Sequence, residues 1–405
     1  MTDQKSLPYP VLSNADLKDK TVLLRAGFDL PMNNGEVVDT SRVEALLPTI
    51  KFILDSGASL IILAHQGRPK GERNMEYSQK PIAPVLSKLI GIDVKFCDYC
   101  RGEEAKSMAA ELVAGDVLLL ENLRFEKAEK SKDPEQRDEL AKEIAELGDV
   151  YVNDAFTNCH RDHASMTGIP KHLPSFIGLH LEQEIRHLSE ATDNPSKPVT
   201  LIISGAKMET KVPVIQHFLD CGNDILLGGL IANTFIGAKG NCLGSSRYEE
   251  EWVKKSEEIL SLSMKEGSAL IHVPVDSIVA SDPSGADVNN VPSNSIPDDM
   301  CVFDIGELTA ESYAEIIAKS GTVIWNGPMG MYEQEPFSGG SKAVAAAVSK
   351  ATENGVKTII GGGDTIDLHV RYSLPIDSYT WVSTGGGAML EFISGQKLPA
   401  LEALV

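Results

Sequence analysis

In the first half of the chain, arginine or histidine follows one short apolar run after another. Arg25 closes the first run, and Arg42 stands in Asp39-Thr40-Ser41-Arg42 ahead of a helical stretch. His65-Gln66-Gly67-Arg68-Pro69 follows the second run and Glu121-Asn122-Leu123-Arg124-Phe125 a later one. Asn153-Asp154-Ala155-Phe156 and His160-Arg161-Asp162-His163 come after the last. A guanidinium fork matches carboxylate or phosphate bidentately, and clustered cations repel unless an anion lies between them. Taken singly, a strand-end arginine reads as a surface residue. As a set in an acidic chain, these residues read as a pocket for a small, multiply anionic molecule.

The second half carries glycines at the corresponding places. Gly361-Gly362-Gly363-Asp364-Thr365 lies between an apolar run and a helix-like stretch. Such a junction lets backbone N–H groups and a helix N-terminus approach a phosphate. Asp364 adds a hard oxygen for Mg²⁺ and Thr365 a hydroxyl. Read alone, the pentapeptide is equally a tight structural turn. It is not alone: Ser204-Gly205-Ala206-Lys207, Leu227-Gly228-Gly229, Trp325-Asn326-Gly327-Pro328-Met329-Gly330 and Ser383-Thr384-Gly385-Gly386-Gly387-Ala388 repeat the pattern, and Glu333 stands shortly after the third of these. If their stretch is helical, Lys207 and Lys211 are spaced i,i+4 on one side, a phosphate clamp or two solvated lysines. No Walker A sequence is present, and no Gly-x-Gly-x-x-Gly stands in dinucleotide-binding context.

The elements that must position these residues alternate. Residues 21–25, 59–64, 93–96, 117–120 and 150–152 read as buried strands, separated by helices over 42–56, 81–89, 103–113 and 135–147. Leu181, Ile185 and Leu188 share one face of a helix before Pro195 and Pro198, which reads as a connector. A second series of strands follows at 199–203, 224–227, 269–273, 301–303, 322–325, 356–360 and 379–382, with an exposed loop over 281–298. This predicts an α/β chain with two parallel sheets whose ligands bind beyond the carboxyl ends of the strands.

At 405 residues the chain exceeds one ordinary core, so two domains are expected. The formal charge of -21 argues against broad nucleic-acid or anionic-membrane binding. No apolar run approaches a membrane span, and six cysteines in so long a chain point to a reducing cytoplasm. Cys97-x-x-Cys100 and the group Cys159, His160 and His163 each fall short of a zinc set, the first lacking a second pair and the second a fourth ligand. His160-Arg161-Asp162 lacks the glycine loop and Asp-Phe-Gly of a protein kinase. The run 126–139 reads as a solvated loop and helix face.

Together these motifs, with Pro274-Val275-Asp276, resemble phosphoglycerate kinase from the first strand to the C-terminus. The resemblance implies two Rossmann-like parallel-sheet domains joined by a helix, with the C-terminal tail returning to the N-terminal domain. It implies a phosphoglycerate-binding domain over 1–178, a hinge helix over 179–194, a Mg-nucleotide domain over 195–390, and residues 391–405 packed on the first domain. The implied reaction is reversible phosphoryl transfer from 1,3-bisphosphoglycerate to ADP, with Mg²⁺, in a cytoplasmic monomer. By resemblance Arg42, His65, Arg68, Arg124 and Arg161 contact the phosphoglycerate, Arg25 and Asp29 belong to that site, and Arg42 also stabilises the moving phosphoryl group. Lys207, Lys211, Gly228, Gly229, Asn326, Gly362, Gly363 and Thr365 serve the nucleotide, Glu333 its ribose, and Asp364 the metal. Gly385, Gly386 and Gly387 present N–H groups to the transferring group.

The family reads Arg-Val-Asp-Phe-Asn-Val-Pro where this chain has Arg25-Ala26-Gly27-Phe28-Asp29-Leu30-Pro31. Asp29 is expected to take over the glycerate hydroxyl, while adding a negative charge near a carboxylate. Thr157-Asn158-Cys159-His160 likewise replaces Gly-Thr-Ala-His.

Overall fold

A computed structural model of the chain describes residues 7–405. It divides into two compact units, residues up to Arg186 with Lys397–Val405, and His187–Gln396. The first unit runs β1 (Thr21–Ala26), a short hairpin of β2 (Met32–Asn33) and β3 (Glu36–Val37), α1 (Ser41–Glu44), α2 (Leu47–Asp55), β4 (Ser59–Leu63), α3 (Ile82–Ile90), β5 (Val94–Cys97), α4 (Gly102–Ala110), β6 (Val117–Leu120), α5 (Pro134–Ala145), β7 (Val150–Asp154) and β8 (Ser175–Ile177). The division falls within the following helix, α6 (Leu179–Thr192), where Leu181, Ile185 and Leu188 are all buried.

Six strands of this unit form one sheet in the order β5-β6-β4-β1-β7-β8, parallel throughout. Val-, Leu- and Ile-rich strands buried along their whole length are what helices on both faces require. Register pairs Arg25 with Leu63 on one side and Asn153 on the other, so the strands end level. The loops carrying His65, Arg124 and His160 therefore leave from one edge. The predicted helix over 42–56 is two helices, because Pro48 in the first turn of α2 has no N–H for a bond back into α1. Strand β8 escaped the sequence reading because three residues carry too little periodicity.

The second unit continues with β9 (Val199–Ile203), α7 (Met208–Cys221), β10 (Asp224–Leu227), α8 (Gly229–Ala238), α9 (Val253–Ser263), β11 (Leu270–His272), β12 (Asp276–Ala280), β13 (Asn289–Pro292), β14 (Cys301–Ile305), α10 (Glu307–Ala318), β15 (Thr322–Asn326), α11 (Gly339–Glu353), β16 (Lys357–Gly361), α12 (Gly363–Arg371), β17 (Trp381–Ser383) and α13 (Gly387–Ile393). Its main sheet is parallel in the order β11-β10-β9-β15-β16-β17, the doubly wound order of nucleotide-binding folds. The run 301–303 does not join it. Instead β14 pairs antiparallel with β12, and β12 with β13, in a separate three-stranded sheet. Strand β13 lies inside the stretch predicted as a loop, since Asn-Asn-Val-Pro is polar, mostly exposed and held only by non-local pairing. Of residues 391–405, only Lys397–Val405 belongs with the first unit, where α14 (Pro399–Glu402) is tied by Ala400 N donating to the Cys159 carbonyl at 3.1 Å.

Candidate active site

At the carboxyl edge of the first sheet, hydrogen bonds draw the predicted residues together. The Asp29 carboxylate accepts from Gly67 N at 2.8 Å, and its Oδ2 lies 3.7 Å from His65 Nε2. Arg42 Nη1 donates to the Asp29 carbonyl, and Arg124 Nη1 to the Gly67 carbonyl at 2.7 Å. Asn122 braces the loop by donating to the carbonyls of Gln66 and Tyr77, while its Oδ1 accepts from Arg124 N at 2.9 Å. Gly67 has φ +57, and a Cβ there would meet the Tyr77 ring at 2.3 Å, so this turn admits only glycine. Arg68 and Arg161 are exposed, with their forks free to face a ligand.

Arg25 corrects the expectation of a ligand-facing fork. It is fully buried, and its guanidinium donates to Ser165 Oγ at 3.0 Å, to the Ala26 carbonyl and to His65 Nδ1 at 2.9 Å. It backs His65 from behind.

Two carboxylates, Asp29 and Glu129, act on the cations of this edge, and they do not offset its burial. Burial and then the Arg25 charge bring Arg124 down to about 10. Burial, followed by Arg124 and Arg25, brings His163 to about 3. His65 is held well below the usual histidine range by burial and by Arg25 and Arg124. The Lys130 ammonium is lowered by burial and by Arg124, Arg161 and Arg68. Burial is the first cause of each of these shifts and the neighbouring guanidinium groups add to it, an arrangement in which an anion would be favoured.

In the second unit the strand order reverses between β9 and β15, the place where such sheets open a crevice. A cavity of about 530 Å³ lies there, lined among others by Gly205, Gly229, Asn233, Glu333 and Asp364. Leu230, Ile236, Val302 and Met331 give it an apolar wall suited to a flat base. Lys211 is buried, and its Nζ donates to Asn326 Oδ1. Asn326 Nδ2 donates to the Gly361 carbonyl at 2.8 Å. Thr365 Oγ1 donates to that same carbonyl at 3.0 Å and accepts from Gly327 N at 2.8 Å. Gly362 has φ +102, and a Cβ would stand 2.8 Å from Asn326 Nδ2, so glycine is required at the turn into α12. Register pairs Gly361 with Ser383, which sets the junctions leading to α12 and α13 side by side.

Burial lowers Lys211 to about 8, against the pull of Asp364. Asp364 itself is exposed in the first turn of α12 and reaches the cavity. One carboxylate beside a phosphate site fits Mg²⁺, which keeps waters and takes its other ligands from phosphate oxygens.

Other predicted residues sit differently. Lys207 is exposed at the residue before α7, in extended conformation, so it forms no helical pair with Lys211. Gly228 caps α8 and packs under Met329, outside the cavity lining. Gly385 N donates to Ser383 Oγ at 3.2 Å, while Gly386 and Gly387 lead into α13. The sequence reading missed Lys130, Glu129 and Ser165. The first two sit in the charge-dense run, where local pattern does not separate a residue turned inward from its solvated neighbours.

Comparison with known proteins agrees with this geometry. A family model described as phosphoglycerate kinase matches residues 12–396. The phosphoglycerate kinase of Thermosipho africanus is 41% identical over 395 residues, covering 97% of each chain. Among solved structures, phosphoglycerate kinase from Coxiella burnetii superposes with TM-score 0.86 at 35% identity, covering 98% of this chain and 99% of its own. The Pyrococcus horikoshii enzyme gives 0.85 at 34%, covering 97% and 98%. With a family model over residues 12–396 and a 41% identical relative over 97% of its length, this chain belongs to the phosphoglycerate kinase family.

Proposed function

We propose that the cationic edge of the first unit binds 3-phosphoglycerate or 1,3-bisphosphoglycerate, and that the cavity of the second binds Mg-ADP or Mg-ATP. As a member of its family, the chain catalyses reversible phosphoryl transfer between 1,3-bisphosphoglycerate and ADP, giving 3-phosphoglycerate and ATP, in glycolysis. Phosphoryl transfer asks for positioning and charge neutralisation more than covalent chemistry. In this proposal Arg68, Arg124 and Arg161 neutralise the phosphoglycerate anion, His65 donates a hydrogen bond, and Arg42 stabilises charge on the phosphoryl group in flight. Lys211 meets the nucleotide phosphates, Glu333 the ribose, and the N–H groups of Gly385, Gly386 and Gly387 the transferring group. Asp364 would hold Mg²⁺, which offsets phosphate charge when bound. Because phosphoryl transfer must exclude water, we take α6 as the hinge for a closing motion. A cytoplasmic monomer completes the proposal.

The observation that carries it is the combination of a partly buried cationic edge in one unit, where guanidinium groups add to the burial that lowers Arg124 and Lys130, with a glycine-lined cavity near the buried Lys211 in the other. Calorimetric titration of two variants tests it. Arg124→Ala is expected to lose affinity for 3-phosphoglycerate about tenfold or more while keeping Mg-ADP, and Lys211→Ala the reverse. A variant that loses the opposite ligand refutes the assignment.

A further inference from the structure

A carboxylate with no access to solvent lies behind the cationic edge. Glu129 Oε1 accepts from Ser165 Oγ at 2.6 Å, and its Oε2 from Ser165 N at 2.9 Å. Ser165 Oγ, its proton directed at Glu129, accepts from Arg25 Nε at 3.0 Å. Arg25 Nη2 lies 2.9 Å from His65 Nδ1. Glu129, Ser165 and Arg25 are 0% exposed and His65 2%, so water does not substitute for any link. A guanidinium carries donors only, which fixes the direction of every bond in the chain. His65 Nδ1 must accept. Its ring proton then sits on Nε2, the nitrogen facing Asp29 Oδ2 at 3.7 Å.

We infer that Glu129 is a positioning residue, holding His65 through Ser165 and Arg25 as a neutral imidazole with its Nε2–H turned toward the phosphoglycerate edge. The inference rests on the assignment of that edge to phosphoglycerate. Glu129 is the foremost charge favouring the Arg25 cation against its burial. Without it Arg25 is a buried cation beside a histidine, held only by the Ala26 carbonyl and by a Ser165 hydroxyl whose proton is no longer drawn to a carboxylate. The other guanidinium groups around His65, Arg42 and Arg124, disfavour a second ring proton, while the Asp29 carboxylate lies 3.7 Å from Nε2. His163 Nδ1 stands 3.8 Å from Glu129 Oε1, too far for a hydrogen bond, so Ser165 remains the group bonded to that oxygen.

The test uses the full chain labelled with ¹⁵N-histidine, with His65 signals identified by their loss in His65→Gln. At pH 7 the wild type is expected to show an unprotonated Nδ1 and a protonated Nε2. Glu129→Gln removes the charge, and Ser165→Ala removes the middle link. In each, His65 is expected to show averaged tautomers. The KM for 3-phosphoglycerate is expected to rise about tenfold, equivalent to one charge-assisted hydrogen bond, with the nucleotide KM unchanged. Should Glu129→Gln fail to fold, Ser165→Ala decides by the same two readouts. A proton on Nδ1 in the wild type overturns the inference. So does a folded variant whose His65 signals and 3-phosphoglycerate KM match wild type. The tautomer is read without substrate, so absence of turnover with 3-phosphoglycerate would count against the assigned reaction and leave the relay standing.

Discussion

Asp29 brings a negative charge into an edge otherwise built of cations. Its Oδ1 is committed to Gly67 N, and Asn at this position keeps that bond. Asp29→Asn is therefore expected to leave the loop in place and lower the KM for 3-phosphoglycerate a few-fold, most clearly at low salt, where charge is least screened. Steady-state kinetics at two ionic strengths check this, and an unchanged or higher KM would show that the carboxylate itself is used by the substrate. Lys211 supplies a second residue-scale outcome. Its folded-state pKa of about 8 lies below the ordinary lysine value, so the unliganded site loses positive charge as pH rises through 8. A polyphosphate favours the charged form and pulls the proton back. Nucleotide binding at pH 8.5 should thus take up a fraction of a proton, visible as a buffer-dependent heat in calorimetry, and affinity should weaken as pH climbs further. At this scale the sequence displayed the exposed forks of Arg68 and Arg161 and the turn glycines. It hid the burial of Arg25 and the inward turn of Glu129, because both depend on a partner, Ser165, that is distant in the chain.

Elements carry the site because strands end level and glycine turns follow them. The junction between β15 and β16 shows the economy of the arrangement, since a single hydroxyl, Thr365 Oγ1, serves both Gly327 N and the Gly361 carbonyl. Thr365→Val keeps the shape and leaves a buried N–H without its acceptor, at a cost of about 1–3 kcal/mol. A lower midpoint in denaturant unfolding together with weaker nucleotide binding is expected. Full stability with intact binding would show that the hydroxyl is dispensable. Parallel strands such as β4, β6 and β9 were legible as continuous apolar runs. The small antiparallel sheet was not, because β13 is polar and β14 is held by partners the local pattern does not name.

At the scale of the whole molecule, the two units should answer acid differently. Burial depresses His65, His160 and His163 in the first unit, the last two to about 4 and about 3. Below pH 6.5 the unfolded chain binds protons at these rings that the folded chain refuses, so the three rings cost this unit stability as pH falls from 6.5 toward 4, while buried Glu129 and Asp154, both raised by burial, work against them. In the second unit a histidine, His369, is lowered by burial, and buried Asp304 works the other way. Its folded pKa is raised to about 7, so the stability it contributes is present at low pH and is lost as pH rises through 7. Trp252, Trp325 and Trp381, the three tryptophans of the chain, all fall within the second unit. Far-UV circular dichroism should therefore report acid unfolding before tryptophan fluorescence does, and coincident transitions would contradict this. Two sheets and a connecting helix were legible from alternation alone. The division inside α6 and the return of the tail only from Lys397 were not, because they rest on packing between distant segments.

In the proposed reaction Arg42 stabilises charge on the moving phosphoryl group. The most direct measurement is a coupled assay of wild type and Arg42→Ala with 3-phosphoglycerate and Mg-ATP. Turnover by the wild type is expected, with a kcat lowered about 10³-fold in the variant and KM little changed. An inactive wild type that is folded and binds nucleotide, or a variant in which only KM rises, would contradict this.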